Sequence, residues 1–589
     1  MPDFFKDKSI YEGLLDKRLG MFVHYGIYSA LGGFWKGEAV KGLGEWIQLH
    51  GRIPNDEYEA FARESFLPKE SFARDLVKAA KNAGIKYIVL TSKHHDGFCL
   101  FKTAVDGYNT YDFYGRDICR ELADECRREG LGVGFYYSHT LDWHEKNGAG
   151  NLAVYTPPGT PTKHRNDWDF PNSDIDFSQY FYDKCLPQVR ELLTSYGPLE
   201  LIWFDFPHDI TLEQSGELRA LVKELQPNCL INSRIAHGMH DYMSLGDNAL
   251  SEMPHGINTE CLVTMNHTWG YRSDDHEWKT PENMIDILTR NLSAGATMLL
   301  NVGPMGDGTL TEETLAILDK MGDFTRKNAE AIYHGVEPNP FPAPFDFVRT
   351  AKKENKIFLY LKDETESICI SGLLIAPRRV YLAGEGRECD FWYEDGTLRF
   401  DRVVNDGTRP VYVAEFDTAP EISAAPKEAG GSLHLHIVGA RSAKKSTPEE
   451  APKDLVYIPG RAVAKTAAIS NTDKITGWTS NDEHLVFEGE IDGGTYDVEL
   501  VHALARNLYG GPFDHVSALL TIGDETHPVG EEKYRYAVSR TGTENTHVVR
   551  DAGSFTLTRG KVRIILENTE NEENIPVIEI RLRRSDAAQ

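Results

Sequence analysis

The sequence has no run of about eighteen apolar residues, so no stretch of it reads as a membrane-spanning helix. Cysteine is scarce, with eight in 589 residues. None of Cys99, Cys119, Cys126, Cys185, Cys229, Cys261, Cys369 and Cys389 forms a C-x-x-C pair. That argues against a disulfide framework or a zinc site and leaves reduced, buried thiols as the expectation. Basic residues are outnumbered, 63 Lys and Arg against 90 Asp and Glu, for a formal net charge of -27. Such a balance argues against nucleic acid and anionic membranes as partners and is silent about a neutral substrate. No G-x-G-x-x-G or P-loop follows an apolar run, and no H-E-x-x-H occurs, so nucleotide binding and the common zinc-protease chemistry lack their motifs. The opening residues, MPDFFKDKSIYEG, are not a basic segment leading into an apolar one. A cytoplasmic protein is expected, or a secreted or periplasmic one if a signal has been removed.

What is present is ordinary globular material, 41% hydrophobic and 26% charged, long enough for two to four domains. Between residues 70 and 335 apolar runs alternate with amphipathic ones. IKYIVLTS follows SFARDLVKAAKNAG, LGVGFYYS follows ICRELADECRREG, LELIWFD follows YFYDKCLPQVRELLTSYG, and CLINSR and ATMLLNVGP complete the series. Continuous apolar strands separated by helices predict a parallel sheet covered by helices, with a (β/α)8-like barrel first and an open doubly wound sheet second. After about residue 335 the helical period gives way to short alternating runs. An antiparallel β-sandwich is expected over 336–440, then a polar linker, then a second, carbohydrate-binding-like sandwich over 457–589. The catalytic domain is expected over 1–335.

A barrel builds its active site at the C-terminal ends of its strands, and polar residues collect there. MFVHYGIYS carries His24, and YIVLTSKHHDGF ends in His94, His95 and Asp96. GFYYSHTLDWH supplies Tyr137, His139, Asp142 and Trp143. LIWFDF supplies Trp203 and Asp205, LINSR supplies Asn232 and Arg234, and a longer segment holds Glu252, Glu260, Trp269 and Tyr271. One acid at a strand end commonly just caps a turn; six such ends together point to a site. Glycoside hydrolysis fits, because it needs two carboxyl groups in different states, aromatic faces for sugar C–H surfaces, and polar side chains for hydroxyls. Metal-dependent hydrolysis through His24, His94, His95 and Asp205 is the alternative. It suffers because neighbours on a strand point to opposite faces, so His94 and His95 could not share a metal without a bend.

These stretches, with GEWIQ, TMNHTWGY and GATMLLNVGPMGDG, resemble the α-L-fucosidases of glycoside hydrolase family 29 over residues 10 to 335. The resemblance implies an exo-acting enzyme releasing terminal α-L-fucose from fucosylated oligosaccharides or glycoconjugates, with retention through a covalent fucosyl-enzyme and without cofactor or metal. Asp205 falls on the nucleophile. His24, His94 and His95 fall on fucose-hydroxyl ligands. Glu45, Trp46 and Tyr137 are implied around the sugar, and Trp269 on its apolar face; Trp203, two residues before Asp205 on the same strand, and Arg234, at the next strand end, are read from their positions as further sugar contacts. Glu252 is expected as the acid/base ahead of Glu260, with Thr259 standing where the family commonly has Trp. The rivals are a fucose-binding protein without catalysis and the metal hydrolase. A homo-oligomer is left open. In the last domain Trp478 and Tyr509 are candidate sugar-stacking residues.

Overall fold

The computed structural model describes residues 13–14, 16–149, 165–171, 175–254, 256–362, 365–401, 409–447, 450–457, 467–469, 475–476, 478, 482–503, 516–537, 546–569 and 575–585. By contacts the chain forms two units, Met1–Ser244 with Ile257–Met284 and Thr297–Arg326, and Leu245–Gly256 with Ile285–Ala296 and Lys327–Gln589.

The first unit alternates helix and strand for reasons local to the sequence. Helix α1 (Phe72–Asn82) buries Phe72, Leu76, Val77 and Ala80 on one face and gives way at Gly84, where φ is +84°. Strand β2 (Tyr87–Lys93) follows, buried throughout. In α2 (Ile118–Glu129) the Asp117 carboxylate caps the first turn by accepting from the Arg120 N–H, and Gly130 ends the helix. Strand β3 (Gly132–Ser138) comes next. Helix α3 (Leu186–Ser195) feeds β4 (Leu201–Asp205), and α4 (Leu212–Leu225), opened by a Thr211/Gln214 capping box, feeds β5 (Leu230–Ile231). With β1 (Leu19–Val23), β6 (Met243–Ser244), β7 (Thr259–Thr264) and β8 (Ala296–Val302), these strands make an eight-stranded sheet in the order β5-β4-β3-β2-β1-β8-β7-β6. The pairs β1–β2, β1–β8, β2–β3, β3–β4, β4–β5 and β6–β7 are parallel. A parallel bridge between Asn232 and Tyr242 links the two ends of that order. The expected (β/α) barrel is the fold. Register does the rest: Tyr136 lies opposite Trp203 and Ser138 opposite Asp205, so these four face one side of the sheet.

In the second unit, antiparallel strands from Val348–Lys353 to Val411–Glu415 enclose a core of Ile357, Leu359, Ile368, Val380, Phe400 and Tyr412. A separate core of Leu433, Leu485, Val498, Leu520, Ile564 and Leu582 fills the last sandwich. The run LHLHIVGA, assigned from sequence to the first sandwich, contributes Ser432–His436, which pairs with Val577–Arg584 of the last one. The stretch taken as a linker contains Arg441–Lys444, paired with residues 483–486. Trp478 is fully buried and donates its indole N–H to the Glu483 carbonyl at 2.9 Å, so it is core and not a sugar platform. Tyr509 lies outside the described residues. All eight cysteines are free thiols, seven buried and Cys369 half-buried.

Candidate active site

Asp205 ends β4 and is 7% exposed. Three donors meet its carboxylate. The Tyr136 hydroxyl donates to Oδ2 at 2.9 Å, and Arg234 Nη1 and the Phe206 backbone N–H both donate to Oδ1 at 2.9 Å. Both oxygens therefore accept, and each donor fixes a direction. Arg234 also lies with its guanidinium 4.9 Å from the Trp203 ring centroid, and Trp203 stacks on Tyr136 at 5.6 Å.

The histidines stand beside this carboxylate. His95 Nδ1 is 2.7 Å from Ser138 Oγ, whose own hydrogen goes to the Leu141 carbonyl. Ser138 must then accept from Nδ1–H, which makes Nε2 an acceptor in the neutral ring. Burial, reinforced by Arg165 and Lys93, holds His95 neutral by lowering its pKa well below the usual value. Its Nε2 is 3.8 Å from Asp205 Oδ2. Two acceptors at that separation suit a ligand group that brings its own hydrogen, as a sugar hydroxyl does. His94 is likewise held neutral by burial, then by His95 and His24, and its buried Nδ1 has no hydrogen-bond partner among the described residues. The His94 and His95 rings are 4.1 Å apart. They come together because β2 ends at Lys93 and both residues sit in the turn beyond it, where strand alternation no longer applies. Even so, among the described residues no group of three or more His, Cys, Asp or Glu could hold a metal ion. His24 donates to Asn301 Oδ1 at 2.7 Å, the amide being oriented by its own N–H bond to the Trp269 carbonyl. Trp269 lies 5.3 Å from the His24 ring. Glu45 accepts from Thr268 Oγ1 and the Gly270 N–H and so holds the loop that carries Trp269. Trp46, half-buried, meets His95 at 5.2 Å and Phe206 at 5.3 Å.

Two expected residues fall elsewhere. Tyr137 points away from Asp205. It is fully buried and donates to Gln188 on α3, and the tyrosine at the carboxylate is Tyr136. The choice between neighbours depends on strand register, which the sequence does not carry; the usable signal is that Tyr136 keeps the same parity as Ser138 at the strand end. Glu252 sits in the second unit among Arg290, Arg349 and Lys362. Burial alone would raise its pKa, but Arg290, Arg349 and Lys362 override it and hold the carboxyl well below the usual range. A group held ionised in this way has no proton to give at neutral pH, which removes the argument for Glu252 as the general acid.

Glu260 is the opposite case. It is fully buried and accepts from Trp203 Nε1 at 2.9 Å and from Ser244 Oγ at 3.1 Å. Burial pushes its carboxyl up to about 7, more than the bonds from Trp203 and Ser244 and the nearby Arg234 bring it down.

An accepting carboxylate at a barrel strand end, a glutamate that keeps its proton near neutrality, and neutral histidines among indoles define a glycoside-hydrolase site. The sugar is identified by the family. A family model for α-L-fucosidase matches residues 6–330. The human plasma α-L-fucosidase is 27% identical over 400 residues, covering 63% of this chain and 80% of that one. The solved α-L-fucosidase AlfC from Lactobacillus casei, in complex with α-L-fucose product, is 38% identical with a TM-score of 0.51, covering 54% of this chain and 98% of its own. The α-L-fucosidase from Vibrio sp. strain EJY3 shares the fold over 98% of both chains, with 22% identity and a TM-score of 0.80. The chain belongs to the α-L-fucosidase family.

Proposed function

We propose that the protein is an exo-acting, retaining α-L-fucosidase that takes terminal α-L-fucose from fucosylated oligosaccharides or glycoconjugates by double displacement. The observation that carries this reading is the Asp205 carboxylate, aimed by Tyr136, Arg234 and the Phe206 N–H, next to histidines that offer neutral nitrogens to hydroxyls. In the first step an Asp205 oxygen forms a bond to the anomeric carbon, the glycosidic C–O bond breaks, and the leaving oxygen takes a proton. In the second, a water gives its proton back to the same acid/base and attacks the anomeric carbon, freeing Asp205. Of the two glutamates considered for that proton, Glu260 has the required protonation and is the candidate carried forward. His24, His94 and His95 bind the hydroxyls, Trp46 and Trp203 wall the sugar, and Trp269 faces its C6 methyl, for which a dry surface is favourable. The AlfC complex with its product supports the substrate class.

Retention is tested by proton NMR of the first-formed sugar. α-L-Fucose is expected before mutarotation, and initial β-L-fucose would overturn the double displacement. Chelation separates the metal reading. Prolonged EDTA treatment is expected to leave turnover of an aryl fucoside unchanged, whereas stoichiometric zinc whose removal abolishes turnover would return His24, His94, His95 and Asp205 to the role of ligands.

A further inference from the structure

Phe206, the residue after Asp205, has φ of +52°. That region is costly for a bulky residue and persists where the surroundings over-determine it. They do so here at both ends of the residue. Its N–H donates to Asp205 Oδ1 at 2.9 Å. Its carbonyl accepts from the Thr140 hydroxyl and, at 2.8 Å, from the His208 N–H. Rotation about this φ does not move the N–H; it decides where the carbonyl goes. With the N–H on the carboxylate, the left-handed φ is what sends the carbonyl to Thr140 and His208. A side chain that rejects this φ gives up one end or the other. The ring is a separate matter: it packs edge-on to His95 at 5.0 Å and against Trp46 at 5.3 Å.

We infer that Phe206 is a positioning residue whose left-handed backbone holds one of the three donors on the Asp205 carboxylate. This rests on the reading of Asp205 as nucleophile. The test compares two substitutions that both lose the ring. Asn tolerates the left-handed region, and the β-branched Val does not. The readouts are the pre-steady-state rate of fucosyl-enzyme formation from 4-nitrophenyl α-L-fucoside, the inhibition constant of L-fucose, and the melting temperature. Phe206→Val is expected to form the intermediate roughly 30-fold more slowly than Phe206→Asn, as small misplacements of reacting groups do, with the fucose constant alike in both. Equal rates in the two variants overturn the inference, as does a loss in Val matched by an equal loss of fucose binding. If Val does not fold, Phe206→Gly against Phe206→Ala repeats the comparison; Gly must then be the faster, and equality overturns the inference. Asp205→Asn is run in parallel. Turnover surviving in that variant sinks both readings, whereas an inactive Asp205→Asn with equal rates at 206 sinks only this one.

Discussion

Asp205→Asn is expected to keep the fold and the affinity for L-fucose while kcat on an aryl fucoside falls about 10³-fold or more, equivalent to about 4 kcal/mol of transition-state stabilisation. The substitution is close to isosteric, and that makes the experiment clean. The amide oxygen can still accept from Arg234 and the Phe206 N–H on the Oδ1 side. On the other side the new amide N–H can donate to the Tyr136 hydroxyl, which donates to Oδ2 in the wild type. Local packing is thus retained and the anionic oxygen that attacks carbon is lost. Asp205→Ala adds a stereochemical readout. With the carboxylate cut away, azide can enter from its face and attack the substrate once, giving β-L-fucosyl azide. A variant that keeps more than about a tenth of wild-type kcat shows the nucleophile to be another group.

The second large effect is expected at Glu260. A general acid matters in proportion to how badly the leaving group needs a proton, so a disaccharide should suffer much more than an aryl fucoside that leaves as a stable phenolate. For Glu260→Ala we expect kcat/KM on the disaccharide to fall by about 10²–10⁴-fold, with a much smaller effect on glycosylation by the aryl fucoside. Azide should then restore turnover by capturing the fucosyl-enzyme, and the product should be the α-azide, opposite in configuration to that from Asp205→Ala. The pH profile gives an independent measure. With its carboxyl at about 7, Glu260 is active only while protonated, so kcat/KM on the disaccharide should decline as pH rises through 7, and Glu260→Gln should lack that limb. If both substrates fall alike and no azide product forms, the task of Glu260 is to hold Trp203. Asp247, exposed just past the end of β6, is then the next carboxyl to replace.

Much of this was legible in the chain. The alternation of apolar runs with capped helices implied the barrel, and acids and histidines at strand ends singled out one end of it, where Asp205, His24, His94, His95 and Arg234 gather. What the chain could not reveal depended on partners distant in sequence. Tyr136 and Tyr137 differ only in which face of β3 they occupy, and register with β4 settles that. In the sequence the loop setting of Glu252 makes it look the better placed acid, ahead of Glu260 at the start of a strand. Arg290, with Arg349 and Lys362 from well beyond the barrel segments, holds the first ionised, while burial lifts the second to about 7 against the opposing pull of its bond from Trp203. His94 and His95 meet because the strand ends at Lys93, just before them. The run LHLHIVGA alternates like any strand, and only its partner, Val577–Arg584, says which sandwich owns it.

The distribution of chain between the two units has a consequence for synthesis. Leu245–Gly256 and Ile285–Ala296 lie in sequence among the last strands of the barrel, yet they make their contacts with the C-terminal half. Glu252 meets Arg290 once the second of these segments has emerged but waits for Arg349 and Lys362, and Asp286 waits for Arg349 and Arg409. As the polypeptide leaves the ribosome, the first five strands can pair at once, while these two segments emerge with their carboxylates still in water. At roughly ten residues per second the arginines and lysine that receive them follow on the order of ten seconds later. Ionised side chains keep the intervening stretch hydrated for that time, so carboxylates that end in ion pairs in the finished protein act earlier as solubilising groups on the nascent one.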